Sequence, residues 1–171
     1  MQTKKLTHTA ISLTLIIISF MLFRGSTNIV NAVTVPLVFY LNFNKFDFKY
    51  FSTLVLISFI IVVLFFFQQL FFIFLYALMA VFIKYLRQHN YHKLLKNIIL
   101  SFGFGIGFYT TLTLTDTILG TALRQVLTSV AAGNIFFLIL LYTVTSLFVS
   151  ISLLLIIPQI EKQLQSKFNW F

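Results

Sequence analysis

The amino-acid sequence predicts an all-α integral membrane protein, a bundle of six transmembrane helices with an amphipathic segment between the fifth and the sixth. Hydrophobic residues make up 60% of the chain and charged residues only 9%, whereas soluble domains carry roughly 25% charged residues. The 23 phenylalanines outnumber all charged residues together. The apolar runs are also continuous rather than alternating, and in lipid such runs satisfy their backbone groups as helices.

The first apolar run, residues 6–23, follows Lys4 and Lys5 and resembles a signal peptide. No A-x-A-like cleavage site follows Phe23, since the next residues are Arg-Gly-Ser-Thr-Asn. The run also approaches the roughly 20 residues that a helix needs to cross a bilayer. We therefore expect a retained first span.

The remaining spans follow from the lengths of the apolar runs. Residues 29–43 form a short second span that contains Asn31 and Pro36. The block 51–86 is too long for one crossing, and Gln68-Gln69 interrupts it, so we predict spans at 51–67 and 70–86 with a tight turn between them. The fifth and sixth spans are predicted at 97–115 and 134–158.

Residues 116–133 are more polar and do not look like a span. Apolar side chains recur there mainly at three- and four-residue steps, which is typical of an amphipathic helix; they are Ile118, Leu119, Leu123, Val126, Leu127 and Val130. Such a helix suits a membrane interface or the mouth of a cavity.

Lysine and arginine predict the orientation. In a six-span chain, ten of the twelve basic residues lie on the side of the N-terminus, and only Arg24 and Arg124 lie on the other. Cytoplasmic loops are enriched in basic residues, so both termini are expected in the cytoplasm and the chain in a cell membrane. Because these residues punctuate the apolar runs instead of forming a stripe on a soluble fold, we expect no nucleic-acid partner.

The sequence does not suggest an enzyme. No charged residue lies deep in a predicted span, and the acids Asp47 and Glu161 are predicted on the opposite side from Asp116, which disfavours catalysis by paired carboxylates. Cysteine is absent. His89 and His92 have a spacing compatible with a metal but no acidic or thiol partner, so we expect neither a metal site nor a cofactor, and no catalytic residue is assigned.

Polar residues collect instead on the predicted outer side, where they are candidates for binding a small solute. Helix capping and solvation at the interface explain each of them equally simply when taken one at a time. The candidates are Arg24, Asn28, Asn31, Gln68, Gln69, Tyr109, Thr113, Asp116, Arg124 and Asn134.

Small residues mark two sites of close helix packing. Gly103-x-x-x-Gly107 in the fifth span is a pattern that lets a neighbouring helix approach closely. Ala10 and Thr14 form a weaker small-x-x-x-small pair in the first span.

The layout resembles the substrate-binding S components of energy-coupling factor (ECF) transporters. The likeness lies in the Lys4-Lys5 start, the short second span with Pro36, the basic gap at 84–96, the polar connection before the last span and the closing segment 155–162. The resemblance implies six helices, cytoplasmic termini and a solute held near the outer face. It also implies a transmembrane coupling subunit, which in this family meets small residues of the first helix, here Ala10 and Thr14, and ATPase subunits that drive reorientation.

Other non-enzymatic roles remain open. A membrane assembly or cell-shape protein has a similar size and layout, although the stretch 59–80 contains no glycine or acid that would suggest that family. Membrane subunits of ABC exporters are usually longer. A bacteriocin-immunity or accessory protein is a further alternative.

Overall fold

The structure, a computed structural model, describes residues 2–23 and 25–168, and this part of the chain is helical apart from short connections. Its α-helices are α1 (Gln2–Leu22), α2 (Asn31–Lys45), α3 (Phe48–Phe65), α4 (Leu70–Gln88), α5 (Lys93–Leu119), α6 (Leu123–Val130) and α7 (Ile135–Phe168). Single 3-10 segments precede α2 and α4, at Gly25–Val30 and Phe67–Gln69.

Five of these helices are long and apolar enough to cross a membrane: α1, α3, α4, α5 and α7. The second predicted span falls on α2, which has 15 residues. As a straight helix it measures about 22 Å, less than the roughly 30 Å of a hydrocarbon core. It is short because the six residues before Asn31 form a 3-10 helix. The structure thus shows a multi-helix membrane protein with five helices of spanning length.

Helices α2 and α4 lie at the centre of the bundle. α2 packs against α1, α3, α4 and α7, and α4 packs against α2, α3 and α5, while α5 also packs along α7. Half of the α4 span is buried inside the protein, a larger share than in the other spans. The core between these helices is rich in aromatic side chains, and its largest fully buried members are Tyr40, Tyr76, Phe20, Phe39 and Phe104.

The basic segments meet at one end of the bundle, which we call the basic end and define by Lys5, Lys45, Lys84 and Arg87. Lys5 Nζ lies 3.2 Å from Asp47 Oδ2, and Lys45 Nζ lies 3.2 Å from His8 Nε2. Lys84 Nζ donates to the carbonyl oxygen of Phe43 at 2.8 Å. Residues far apart in sequence are therefore gathered here, as the alternation of basic segments predicts.

The opposite end of the bundle contains the connections α1–α2, α3–α4 and α5–α7. The ring of Phe20 on α1 lies 5.7 Å from that of Phe66 in the α3–α4 turn, and this turn also contacts α5. The turn breaks the apolar block 51–86 at Phe66, close to the predicted Gln68-Gln69 break.

Two helix boundaries differ clearly from the predicted spans. The sixth span was predicted to end at Pro158, but α7 continues to Phe168, and Glu161 on this extension bonds to α2 and α4. In the segment 116–133, residues up to Leu119 belong to α5, and Gly120 ends that helix with a positive φ of 63°. Only Leu123–Val130 forms a separate helix, so the apolar positions of the predicted amphipathic helix are divided between two helices.

Glycines allow the close packing of α5. A methyl group added at Gly107 would overlap the side chain of Leu75 on α4, and one at Gly103 would come within 3.1 Å of the Phe82 ring, also on α4. Gly105 faces Ser146 on α7 in the same way, at 3.0 Å. The predicted Gly103/Gly107 contact is therefore a helix–helix contact within this chain.

Candidate functional site

An open, partly polar cavity of about 700 Å³ lies between α5, α6 and α7 at the opposite end from the basic end. We call it the α5–α7 cavity. Its polar lining consists of Tyr109, Asp116 and Thr117 from α5, Thr121 from the connection, Arg124, Gln125, Thr128 and Ser129 from α6, and Tyr142 from α7. Ligand pockets in proteins have volumes of roughly 300–1,000 Å³, so a small organic molecule fits this space.

Asp116 holds α6 against the end of α5. Its carboxylate accepts hydrogen bonds from Thr121 Oγ1 at 2.6 Å, Leu123 N at 2.8 Å and Arg124 N at 2.9 Å. Arg124 Nε donates a fourth bond at 3.2 Å. The carboxylate thus satisfies backbone N–H groups at the start of α6 that have no partner within the helix. Its side chain is only 7% exposed, so Asp116 is a structural acid that shapes the cavity.

Arg124 is differently placed, because its guanidinium is only partly used. The Nε–H group bonds Asp116, whereas the structure shows no protein partner for the two terminal nitrogens within the described residues. The side chain is 43% exposed. It therefore presents donors toward the cavity, and a guanidinium binds carbonyl, carboxylate and phosphate oxygens well.

Two tyrosines form the aromatic wall of the cavity. The rings of Tyr109 and Tyr142 lie 6.2 Å apart in an edge-to-face arrangement, and Phe108 meets Tyr142 edge-on at 5.8 Å. Neither tyrosine hydroxyl has a hydrogen-bond partner among residues 2–23 and 25–168. The wall offers both a flat apolar surface and free hydroxyl groups.

Of the predicted solute-binding residues, Tyr109, Asp116 and Arg124 therefore come together in one cavity. Thr113 lies one turn from Tyr109 and donates to its carbonyl oxygen at 2.9 Å. Asn134 starts α7, where its side chain accepts from Phe136 N at 2.9 Å. These last two residues are near the cavity but do not line it.

Asn28 and Asn31 belong to a separate network that closes the α1–α2 connection. Asn31 is fully buried; its Nδ2 donates to Phe23 O and Asn28 Oδ1, both at 2.7 Å, and its Oδ1 accepts from Ser19 Oγ at 2.6 Å. With these partners the Asn31 amide is used within the protein. Gln68 and Gln69 form the α3–α4 turn, also away from the cavity, and Arg24 lies outside the described residues.

Sequence reasoning missed most of the hydroxyl lining. Thr128 and Ser129 come three and four residues after Gln125 in α6, on a different face from Leu123 and Leu127, which pack against the core. This polar stripe was visible in the sequence as the counterpart of the apolar one. Tyr142 lies within a long apolar run, where a tyrosine that could stack on a ring is explained equally well as an interface anchor or a core residue.

An apolar groove of about 800 Å³ runs over α4 between α3 and α5. Its wall includes Phe59 and Phe74, whose rings lie 5.0 Å apart, and its lining contains no charged residue. It lies on spanning helices, where apolar surface faces lipid. We assign it to contact with the bilayer.

The histidines considered for metal binding have local roles in the connection between α4 and α5. His89 lies against Tyr85 and stacks on Tyr91, and the ring of His92 accepts from Leu94 N at the start of α5. Within the described residues, no three side chains of the metal-ligating types histidine, aspartate and glutamate come together as a candidate site.

Comparison with known proteins gave no match: no family model, no curated protein and no solved structure matches this chain.

Proposed function

We propose that the protein is the solute-binding membrane subunit of an uptake transporter, similar to the S components of ECF transporters, and that it captures a small molecule at the outer face of the cell membrane. The observation that carries this proposal is the α5–α7 cavity, in which free donor groups line a space of ligand size at one end of an apolar bundle.

The proposal includes six membrane crossings, with α2 as the second. Ser19 bonds Asn31 near one end of the α1–α2 pair, and His8 contacts Lys45 near the other, so α2 runs antiparallel along most of α1. Together, the 3-10 segment Gly25–Val30 and α2 measure about 34 Å, which matches the roughly 30 Å of a hydrocarbon core. The basic end would then be cytoplasmic and carry both termini, as the positive-inside rule favours.

The face of α1 that points away from the bundle supports a partner in the membrane. Ala10 and Thr14 are both exposed, and they lie among exposed apolar side chains such as Leu15 and Ile18, at 50% and 44%. Small residues on such a face favour close approach of another helix. We propose that a transmembrane coupling subunit binds here and connects the protein to ATPase subunits.

The test is to purify the full chain from native membranes in lipid nanodiscs and to identify small molecules released on denaturation by mass spectrometry. The matched variant is Thr128→Trp, which fills the cavity with an indole ring; the control is Thr53→Trp, an exposed position on α3. We expect one compound to be enriched in the wild type and the control but lost in the cavity variant.

Partner subunits are sought in the same preparation. Recovery of an ATPase and a second membrane subunit supports the transport role, and loss of that recovery in Ala10→Leu would locate the contact on α1. The absence of both a compound and ATPase subunits would overturn the proposal and favour an assembly, cell-shape or immunity protein instead.

A further inference from the structure

We infer that the ligand of the α5–α7 cavity is a small organic anion with a flat unsaturated ring, whose acidic oxygens bind Arg124 and whose ring lies against Tyr109 and Tyr142. This inference rests on the proposed function and adds the chemical class of the solute.

The charge of the ligand follows from how much hydrogen-bonding capacity the two charged groups of the cavity, Asp116 and Arg124, have left. Both oxygens of Asp116 already accept two hydrogen bonds each, so this carboxylate has little capacity left for a cationic ligand. Arg124 donates to Asp116 only through Nε and the backbone N–H. Its terminal nitrogens remain the cavity's available charged donors. A guanidinium with free terminal nitrogens binds a carboxylate through two parallel hydrogen bonds.

The neutral groups also favour a ligand that accepts hydrogen bonds. The hydroxyls of Thr121, Thr128 and Ser129 already donate within the protein, to Asp116, Arg124 O and Val126 O. The hydroxyls of Tyr109 and Tyr142 are not used within the described residues. The free side-chain groups of the cavity are therefore a guanidinium, two phenols and the amide of Gln125, and their N–H and O–H donors together suit several oxygen acceptors on one molecule.

The shape of the ligand follows from the aromatic wall. Tyr109 and Phe108 each meet Tyr142 edge to face, and Tyr109 is 53% exposed, so its ring offers accessible surface to a further flat ring. Contacts between aromatic rings are favourable beyond the burial of apolar area alone. An aliphatic anion would bind Arg124 but would gain less from this wall.

Two sources of oxyanion are available to a membrane protein, a dissolved solute and the phosphate of a lipid headgroup. The proposal commits to the solute, because phospholipid headgroups carry no flat unsaturated ring for the tyrosine wall. Lipid composition in the experiment separates the two.

The experiment uses the full chain in phosphatidylcholine nanodiscs and three probes of nearly equal shape: benzoate, neutral benzamide and cationic benzamidine. Binding is measured by calorimetry and saturation-transfer NMR up to about 10 mM, a range that detects weak affinities. We expect benzoate to bind at least tenfold more tightly than the other two, and more tightly than cyclohexanecarboxylate. Arg124→Gln should lower benzoate affinity at least tenfold, and Lys96→Gln at the basic end should leave it unchanged.

Because Arg124→Gln also removes a bond to Asp116, Thr128→Trp serves as a second variant that leaves the Asp116 carboxylate contacts in place; it should abolish benzoate binding. Preference for benzamide or benzamidine, binding that survives Thr128→Trp, or no binding of any probe would overturn the inference. Loss of benzoate binding in phosphatidylglycerol nanodiscs would also overturn it, by identifying a lipid headgroup site. None of these outcomes bears on the proposed function, because that function is tested by the compound that co-purifies and by the partner subunits recovered.

Discussion

Arg87 on α4 and Glu161 on α7 form an ion pair at the basic end, with Nη2 and Oε2 2.5 Å apart. The other carboxylate oxygen accepts from Tyr40 at 2.8 Å and from Asn44 at 3.2 Å, both on α2. One carboxylate thus joins three helices, and it lies beyond Pro158 on the part of α7 that the sequence did not predict as helical. Its side chain is 13% exposed, so these partners are needed to compensate for lost hydration.

Removal of this carboxylate should destabilise the bundle. We expect Glu161→Ala to lower the free energy of unfolding by about 2–4 kcal/mol, because Arg87 and the buried Tyr40 hydroxyl then lose their acceptor. Unfolding by denaturant in detergent micelles measures the change. Gln163→Ala, an exposed position on the same helix, is the control. An effect of Glu161→Ala no larger than that of the control would show that the contacts of Glu161 with Arg87 and Tyr40 contribute nothing to stability.

Because Asp116 holds the start of α6 by hydrogen bonds, we expect α6 to detach from the bundle when the carboxylate is replaced. In Asp116→Asn the amide nitrogen faces N–H donors, so one or two charge-assisted hydrogen bonds are lost, and α6 should be released. The chain has no cysteine, so a single Leu127→Cys reports on this directly. We expect maleimide to label it at least tenfold faster in the Asp116→Asn background. Val130 is 67% exposed, so Val130→Cys should react at the same rate with and without Asp116→Asn. Equal labelling rates of Leu127→Cys in the two backgrounds would show that Asp116 does not hold α6 in place.

Two buried asparagines on α2 differ in their hydrogen bonding and can be compared directly. Asn31 is hydrogen-bonded through both amide atoms, whereas Asn42, only 3% exposed, has no partner for either atom within the described residues. Replacement by leucine, which keeps the branched shape of the side chain, should therefore act in opposite directions. We expect Asn42→Leu to stabilise the protein by about 1–2 kcal/mol and Asn31→Leu to destabilise it by about 1–3 kcal/mol. Destabilisation by Asn42→Leu would contradict this prediction.

Gly107 should not tolerate a side chain while Leu75 faces it. Leu75 is only 4% exposed and has little room to move, so Gly107→Val is expected to cost about 1–3 kcal/mol through overpacking. The same substitution should cost clearly less in a Leu75→Ala background, because the two changes are coupled. Ile106→Val, at an exposed position on the same helix, is the control. Equal costs in both backgrounds would exclude the predicted α4–α5 contact.

Labelling cysteines from outside intact cells tests whether α2 crosses the membrane and so whether the chain has six crossings. We expect Ile29→Cys and Gln125→Cys to react with an impermeant maleimide, and Lys49→Cys and Asn90→Cys to react only after permeabilisation. Ile29 and Lys49 flank α2, so reaction of both from the same side would show that α2 does not cross. Reaction of Asn90→Cys in intact cells would reverse the proposed orientation.

The helices themselves were largely predictable from the sequence, because a continuous apolar run is a local signal that needs no partner to be recognised. The break near Gln68 and the grouping of basic residues at one end followed from the same signal. Helix ends were less predictable: α7 extends past Pro158 through polar residues, and α5 continues to Leu119, past its predicted end. At these ends hydropathy no longer distinguishes a helix from a loop. Tertiary contacts, such as that of Glu161 with Arg87, determine where the helix ends.

The candidate site was predicted only in part, for a related reason. The sequence by itself placed Tyr109, Asp116 and Arg124 on one side of the protein, since side follows from counting spans. Only the tertiary structure separated them from Asn31, whose amide is used by Ser19 and Phe23, and brought Tyr142 beside Tyr109. Which polar groups meet, and which remain free to bind a ligand, depends on how the helices pack and rotate against one another. That rotation is set by side-chain volumes such as the space at Gly107, and hydropathy does not record it.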